Sequence, residues 1–330
     1  MLAYLARRLI IACLTIVAIS VLAFIIIQLP PGDYLTSYIA QLEAQGDMVS
    51  MDEVENLRKE YGLDRPLYQQ YLIWTRNILR GDFGVSLEWN RPVSELIGER
   101  LLLTIVVALA SLLLMWALAV PIGIYSAVRQ RSVGDYVFTF IGFIGLAIPH
   151  FLLALLLMYF SYRWLGISVG GLFSPQYVEA PWSVSRVLDL FGHLWIPALV
   201  LGMAGTAQLI RILRANLLDE LRKPYVVTAR AKGLPLLRAV LKYPVRIALN
   251  PLVSTIGYML PYIISGSVIV SVVLSLPTIG PLLLQALISQ DMYLAGTIVL
   301  LLGVMTVVGT LLSDILLMLL DPRIQMEDSR

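Results

Sequence analysis

The chain has 330 residues, of which 58% are hydrophobic and 14% are charged, with a formal net charge of +2. A soluble domain carries about 25% charged residues, so much of this surface must face something other than water. The single cysteine, Cys13, excludes a disulfide within the chain. The only histidines, His150 and His193, lie far apart in the sequence, which does not favour a histidine metal site, although a fold could bring them together. We therefore expect no metal site and a membrane location.

Six apolar runs are long enough to cross a bilayer, which takes roughly 20 residues. They cover residues 9–28, 102–127, 136–160, 194–212, 248–275 and 293–320. The first run follows Arg7 and Arg8, as a signal peptide would, but it is long and has no small-residue cleavage site. We interpret it as a retained anchor.

Lysine and arginine in the short loops predict the orientation. With the N-terminus inside, nine basic residues between Arg211 and Arg246 lie in the cytoplasm, while the short outer loops hold only Arg163 and Arg186. Both termini are therefore predicted to be cytoplasmic.

The first loop, residues 29–101, is too long for a simple connector. Residues 49–64 have acidic side chains in their first turn and Gly62 near their end, which predicts a helix. Residues 70–84 predict a second helix that stops at Gly81. We expect a small, mainly helical external subdomain. A solvated insertion without a role is an equally good interpretation.

Prolines interrupt several of the apolar runs, at positions 121, 149, 197 and 261. Each proline frees backbone groups that must be satisfied inside the protein or in a water-filled cavity. Pro149 and His150 are therefore candidates to line a pathway, although a packed histidine explains His150 as well. Asp314 lies in the last run, where proton coupling and a pairing role near the water interface are both open. No Gly-Lys dipeptide occurs, so the chain has no Walker A loop.

A basic, amphipathic stretch, residues 225–251, separates two of the runs. Pro224 and Gly233 bracket a short helix, proline at its start and glycine past its end. Tyr225, Thr228, Ala229 and Lys232 share one face at helical spacing, with small residues that would let another surface approach. In a second helix Arg238, Lys242 and Arg246 recur every four residues. Contact with anionic lipid headgroups would explain the positive charge of this stretch. A helix that docks on a partner protein would explain both the charge and the defined start and end of the short helix.

Several motifs occur in the order and spacing of one family. They are ARRLI, PPGD, YGLDRPLYQQYLIWTRNILRGDFGVSL, PVSELIGERLLLT, TARAKG followed by Asn250-Pro251, and LLDPRI. Together they cover almost the whole chain, and they resemble the ABC importer permeases of the dipeptide/oligopeptide/nickel class. The resemblance implies an all-α membrane protein with six transmembrane helices and the type I ABC importer permease fold.

The resemblance also implies a role for the basic loop. In the wider superfamily the pattern E-A-A-x-x-x-G forms a coupling helix that sits in a cleft of the ATPase subunit. Gly233 matches the glycine and Ala229 the second alanine, whereas Val227 and Thr228 replace the glutamate and first alanine. Arg230 and Lys232 are then candidates to anchor the helix. The implied ATPase-coupling residues are Tyr225, Thr228, Ala229, Arg230, Ala231, Lys232 and Gly233.

The implied organisation has four parts. An N-terminal transmembrane helix covers residues 1–28 and the external subdomain residues 29–101. A five-helix permease core covers 102–320, with the coupling loop at 213–247, and a cytoplasmic tail covers 321–330.

The implied protein is a permease subunit of an ATP-driven, binding-protein-dependent importer in the cytoplasmic (inner) membrane of a bacterium or archaeon. The resemblance implies a second permease, two ATP-binding subunits and an extracytoplasmic substrate-binding protein as partners. Membrane lipid surrounds the chain, and no nucleic acid is expected. The resemblance also implies that this chain has no catalytic residue and binds no cofactor, because ATP and Mg bind to the ATPase subunits.

Peptides are the expected substrate, with nickel chelates and oligosaccharides as alternatives within the class. The segment SLPTIGPLLLQALISQDMYL departs from the class pattern on the external side, which bears on the substrate. A proton-coupled secondary transporter is the rival from another class, although it needs intramembrane charges and usually internal repeats.

Overall fold

A computed structural model describes residues 2–28, 59, 64–166 and 169–320. Side chains are described over these ranges except at 2–5, 165, 257–258, 260–261, 264–265 and 317–320. The helices are α1 (Leu2–Gln28), α2 (Leu67–Leu79), α3 (Val93–Val128), α4 (Val133–Ala147), α5 (His150–Phe160), α6 (Val184–Leu221), α7 (Pro224–Ala231), α8 (Leu236–Lys242), α9 (Pro244–Ala248), α10 (Asn250–Val273), α11 (Ile279–Ile288) and α12 (Met292–Leu320). The predicted helix at 49–64, apart from residues 59 and 64, and the tail at 321–330 lie outside the described residues. Within the described ranges the only β-structure is an isolated bridge between Val85 and Pro92.

The predicted all-α membrane architecture is confirmed. Among the described residues, α1, α3, α6 and α12 are each long and apolar enough to cross a membrane. The predicted run at 136–160 is not one straight helix: α4 and α5 are bent by 108° at their junction, and the pair counts as a fifth span if it is taken as one. Helix α10 occupies the remaining predicted run. The second helix of the first loop, predicted to stop at Gly81, is confirmed as α2, and Gly81 follows it at φ +81°.

The chain divides into two compact units. The first contains the described residues of 104–277 and residues 308–320, and the 38-residue helix α6 lies at its centre. Helices α4, α5, α9 and α10 all pack against α6. Its inward positions are apolar and almost fully buried, and they include Leu194, Leu201, Leu209, Leu213 and Leu217. A helix with so wide an apolar face is expected at the core of a bundle.

Polar contacts fix the N-terminal end of α6. Ser183 caps it by accepting from the backbone N–H of Arg186 (3.3 Å). The Asp189 carboxylate accepts from the backbone N–H and the hydroxyl of Ser174 (2.7 and 2.6 Å), which ties the preceding loop to α6. Arg186 is buried, with its guanidinium 4.6 Å from the Phe173 ring centroid and 4.5 Å from that of Trp182. Cation–π contacts of this kind hold the loop against the helix.

The second unit contains the described residues of 2–103, together with residues 278–307. One core cluster joins the start of α3, α11 and the start of α12 through Ile97, Leu282 and Leu294, among others. A second cluster joins α1, α2 and α12 through Phe24, Trp74 and Leu300. In this way α2, which belongs to the first loop, is packed against the N-terminal helix.

A buried carboxylate caps α12 inside the second unit. Asp291 is fully buried and accepts from the Leu294 backbone N–H (3.1 Å), the Ser86 hydroxyl (2.5 Å) and the Glu88 backbone N–H (3.2 Å). One side chain therefore satisfies orphan donors of the helix and fixes the turn before α3.

Candidate coupling helix and pathway break

The short helix α7 is defined at both of its ends. Pro224 occupies its first position, where a fixed φ is favourable and the missing N–H would be unpaired anyway. At its C-terminus the Leu234 N–H donates to the Ala229 carbonyl (3.3 Å) and the Gly233 N–H to the Arg230 carbonyl (2.9 Å). Gly233 has φ +86°, so this is a Schellman motif. The helix predicted from Pro224 and Gly233 is therefore present with those ends.

A side-chain hydrogen bond links α7 to the long helix before it. The Tyr225 hydroxyl donates to the Glu220 carboxylate at 2.5 Å. Burial, and then the Glu220 carboxylate, raise the pKa of the Tyr225 phenol above its ordinary value, so the phenol remains a donor at neutral pH. Because Glu220 belongs to α6, this hydrogen bond joins α7 to the end of the central helix.

The exposed face of α7 differs from the predicted face. Val226 and Ala229 are buried, at 3% and 8% exposure, so they form the side of α7 that packs on the rest of the chain. Tyr225 is half-buried. The exposed positions are Val227, Thr228, Arg230, Ala231, Lys232 and Gly233. Of the predicted coupling residues, Ala229 is therefore oriented inward, and Val227, at 63% exposure, lies on the outer face.

The basic segment that follows is two short helices rather than one. Helix α8 ends at Lys242 and α9 begins at Pro244, with Tyr243 at φ −118° and ψ −72° between them. Pro244 has no backbone N–H to continue the hydrogen bonds of α8, so a new helix begins there. Arg238, Lys242 and Arg246 are all exposed, but they do not lie on one continuous helix as the spacing predicted.

The predicted pathway residues lie at the break between α4 and α5. Ile148 is extended (φ −86°, ψ 124°), and Pro149 is the N-cap of α5. His150 is half-buried, and its ring lies edge-on to Tyr262, with 6.4 Å between the ring centroids. Tyr262 is 53% exposed, so the break and this aromatic pair reach the surface of their unit. Their role in a pathway stays a prediction.

A buried ion pair that the sequence analysis did not identify lies at the other end of α4. The Asp135 side chain is 4% exposed and accepts from Nε and Nη2 of Arg214 (3.0 and 2.9 Å). It also accepts from the backbone N–H of Arg131 (2.9 Å), and the Asp135 N–H donates to the Ser132 hydroxyl (3.2 Å). The sequence Ser132-x-x-Asp135 has capping-box spacing, which could have located it. Arg214 has no such local signal.

Asp314, the intramembrane carboxylate named from the sequence, is half-buried in α12. Its neighbour Ser313 donates to the Val253 carbonyl of α10 (3.2 Å). Helix α12 is therefore fixed to α10 at this level, and the role of Asp314 stays a prediction.

A bundle of long apolar helices with a short capped helix in its basic loop defines a multi-pass membrane protein. Comparison with known sequences specifies the family. The family described as "Binding-protein-dependent transport system inner membrane component" matches residues 119–326. A companion family, "Binding-prot-dependent transport system membrane comp, N-term", matches residues 1–109. The chain therefore belongs to the binding-protein-dependent transport system inner membrane components.

Individual relatives align over nearly the whole chain. The oligopeptide transport system permease protein AppB of Bacillus subtilis is 37% identical over 327 residues, which cover 98% of this chain and 100% of the relative. The glutathione transport system permease protein GsiC of Salmonella choleraesuis is 31% identical, covering 98% and 99%. The dipeptide transport system permease protein DppB of Escherichia coli K12 is 29% identical, with the same coverage. The chain is thus a multi-pass inner-membrane permease subunit of a transport system, as the sequence motifs predicted.

Proposed function

We propose that this chain forms half of the translocation pathway of an ATP-driven peptide importer. Membership of a binding-protein-dependent family supports an importer that receives its substrate from an external binding protein. Relatives named for oligopeptides, dipeptides and glutathione support peptides as the substrate class. The family comparison gives no support to the rival interpretation, a proton-coupled secondary transporter.

The proposed partners are a second homologous permease, two ATP-binding subunits and the substrate-binding protein. ATP and Mg would bind to the ATPase subunits, and this chain would perform no covalent chemistry. The basic residues of the loop between α6 and α10 support a cytoplasmic location for that loop and for both termini.

The observation that carries the coupling role is the two-sided character of α7. One side packs on the chain through Val226 and Ala229, and Tyr225 bonds to the end of α6. The other side exposes Val227 and Thr228 with their basic neighbours, an arrangement suited to docking in a groove of another protein. ATP-driven closure of the ATPases would move α7, and α6 would carry that movement into the helices packed against it. Alternating access would follow from the tilt of these helices.

The test is co-purification with the partner permease and the ATPase subunits. Val227→Asp places a charge on the exposed face of α7, and Leu237→Asp makes the same kind of change at a site that is 60% exposed on α8. We expect Val227→Asp to lower either the amount of ATPase that co-purifies or the rate of ATP hydrolysis stimulated by the loaded binding protein. The fold loss should be at least about ten times that of Leu237→Asp. Ala229 is unsuited to this test, because a charged or larger side chain at that buried position would disrupt packing within the chain.

Equal behaviour of these two variants would reject α7 as the coupling element. Substrate class is tested separately, by uptake of labelled dipeptides, nickel chelates and oligosaccharides into vesicles that contain the complete transporter. Uptake of the nickel chelate or the oligosaccharide without peptide uptake would reject the peptide assignment.

A further inference from the structure

A groove runs between α4 and α6 within the first unit. It consists of two cavities of about 190 Å³ each, which share Phe138, Gly142, Ala207 and Ile210 as lining residues. The remaining walls are mainly apolar. They include Ile141, Phe143 and Leu146 of α4 and Met203 of α6, and α3 contributes Leu118 and Ile122 to the second cavity. Because these residues belong to candidate membrane-spanning helices, the medium beside this α4–α6 groove is the hydrocarbon of the bilayer.

Close packing of small residues forms the floor of the groove. A Cβ atom built on Gly142 would lie 3.3 Å from Cβ of Ala207, and one on Gly145 would lie 2.7 Å from Cγ of Met203. The two backbones are therefore in near contact, and the larger side chains on either side stand as walls. Phe143 and Leu146 remain 58% and 44% exposed, so the α4 wall is uncovered in this chain.

One end of the groove is cationic. Arg211 and Arg214 line it, and Arg211 is exposed. Asp135 holds Arg214 through Nε and Nη2, which fixes the guanidinium and leaves Nη1 for an anion from outside. Arg131 belongs to the same turn, because its backbone N–H donates to Asp135. Arg211 and Arg214 thus place two positive charges at this end of the groove against the one negative charge of Asp135, and the local charge is positive.

We infer that the α4–α6 groove binds an anionic phospholipid, with an acyl chain on the apolar walls and the headgroup phosphate at Arg211 and Arg214. From Ala207 to Arg214 the helix rises roughly 10 Å, against about 15 Å for one leaflet of hydrocarbon. The groove therefore accommodates most of one acyl chain below a headgroup at the interface. Basic pockets between transmembrane helices bind anionic headgroups by this combination. The inner leaflet is assigned from the proposed orientation, and the binding itself does not depend on the proposed coupling role.

Charge favours a lipid over a helix of a neighbouring subunit. An apolar helix in the groove would cover Arg211 without supplying a counter-ion, and burying an unpaired charge is costly. A phospholipid supplies both the apolar chain and the anion. Guanidinium groups also bind phosphate through paired hydrogen bonds, which a phosphodiester accepts well.

The experiment measures lipid retention by native mass spectrometry of the full chain in mild detergent. The probes are phosphatidylglycerol and phosphatidylcholine with the same acyl chains. We expect preferential retention of phosphatidylglycerol and about a fivefold weaker preference in Arg211→Gln. Arg211→Lys keeps the charge and should keep the preference, while Leu146→Trp fills the groove and should reduce retention of both lipids. Arg163→Gln, an exposed arginine outside the groove, is the matched control and should behave as the wild type.

Equal retention of the two lipids, or an equal effect of Arg211→Gln and Arg163→Gln, would overturn the inference. A second measurement addresses the other occupant. With Phe143→Cys in a Cys13→Ser chain, the assembled transporter should cross-link to a thiol-reactive phosphatidylglycerol probe. Cross-linking to the partner permease in its place would show that a protein helix fills the groove. Neither readout uses ATP hydrolysis, so failure here is distinct from failure of the coupling proposal.

Discussion

Buried carboxylates in this chain are held by several donors each. Asp135 accepts from Arg214 and a backbone N–H, and Asp291 accepts from one hydroxyl and two backbone N–H groups. A buried charge without partners would be strongly unfavourable, so each set of donors is required for the fold. Both residues also cap or adjoin a helix start, where the helix dipole favours negative charge.

Asp135→Asn should destabilise the protein markedly. Removing the charge leaves Arg214 without its counter-ion, and loss of one partner of a buried pair costs about 3–5 kcal/mol. We expect the lower end of that range because the Arg214 side chain is 30% exposed. The midpoint of thermal unfolding in detergent measures the effect. Asp219→Asn alters an exposed carboxylate, and an equal shift in that control would contradict the prediction.

Ser86→Ala should weaken the turn before α3. Ser86 is fully buried and donates to Asp291, so its loss leaves a buried carboxylate one donor short. We expect the free energy of unfolding to fall by about 1–3 kcal/mol. Chemical denaturation beside Ser254→Ala, at an exposed serine, checks this. If the two variants unfold alike, the contact between Ser86 and Asp291 does not stabilise the fold.

Prolines in the apolar runs have different effects on the helices: one lies inside a continuous helix and another lies at a break between two helices. Pro197 lies inside the continuous helix α6, whereas Pro149 follows an extended residue and begins a new helix after a 108° bend. Both prolines remove a backbone donor, but only at Pro149 does the chain change direction. The surroundings therefore decide whether a proline in an apolar run is tolerated or marks a break.

Pro149→Ala should allow α4 to continue toward α5, because the steric restriction on Ile148 is removed. Spin labels at Tyr136 and Tyr159, both exposed, report the change in a Cys13→Ser chain. A 108° bend gives a distance of about 20 Å between these positions and a straight helix about 35 Å, so the distribution should shift toward the longer value.

Pro197→Ala is the matched control and should leave the distance between the two labels unchanged. An unchanged distance in Pro149→Ala as well would show that packing against α6 and α10, rather than proline, maintains the bend.

The whole molecule has an orientation that the basic residues predict. Exposed positions in the loops of the first unit allow it to be measured: Val133 is 80% exposed at the start of α4, and Val178 is 55% exposed before α6. These positions flank the α4–α5 pair on opposite sides in sequence. If that pair crosses the membrane once, they must lie on opposite sides of the membrane.

A membrane-impermeant maleimide should label Val178→Cys in intact cells. In the same Cys13→Ser background, Val133→Cys should react only after permeabilisation, because the loop before α4 is predicted to be cytoplasmic. Leu237→Cys, in the basic loop, should follow Val133→Cys. Labelling of all three variants from outside would contradict both the orientation and the single crossing by α4 and α5.

The motifs and apolar runs predicted the family, the all-helical fold and the ends of α7, since these follow from local chemistry. Proline at the first position and glycine past the end act within one turn of the helix. The inward face of α7 was not predictable in the same way. Ala229 and Thr228 are both small, and which one is buried depends on the rest of the chain.

Hydrophobic length and helix ends are local properties, so the sequence by itself predicted a multi-pass, all-helical membrane protein, and the resemblance of its motifs to a known family predicted the inner-membrane transport subunit. The tertiary structure decided which side chains meet. Arg214 lies 79 positions from Asp135 and Ser86 lies 205 from Asp291, so no periodicity links them. The α4–α6 groove likewise exists only because Gly142 and Ala207 bring two helices together, with walls contributed by residues distant in sequence.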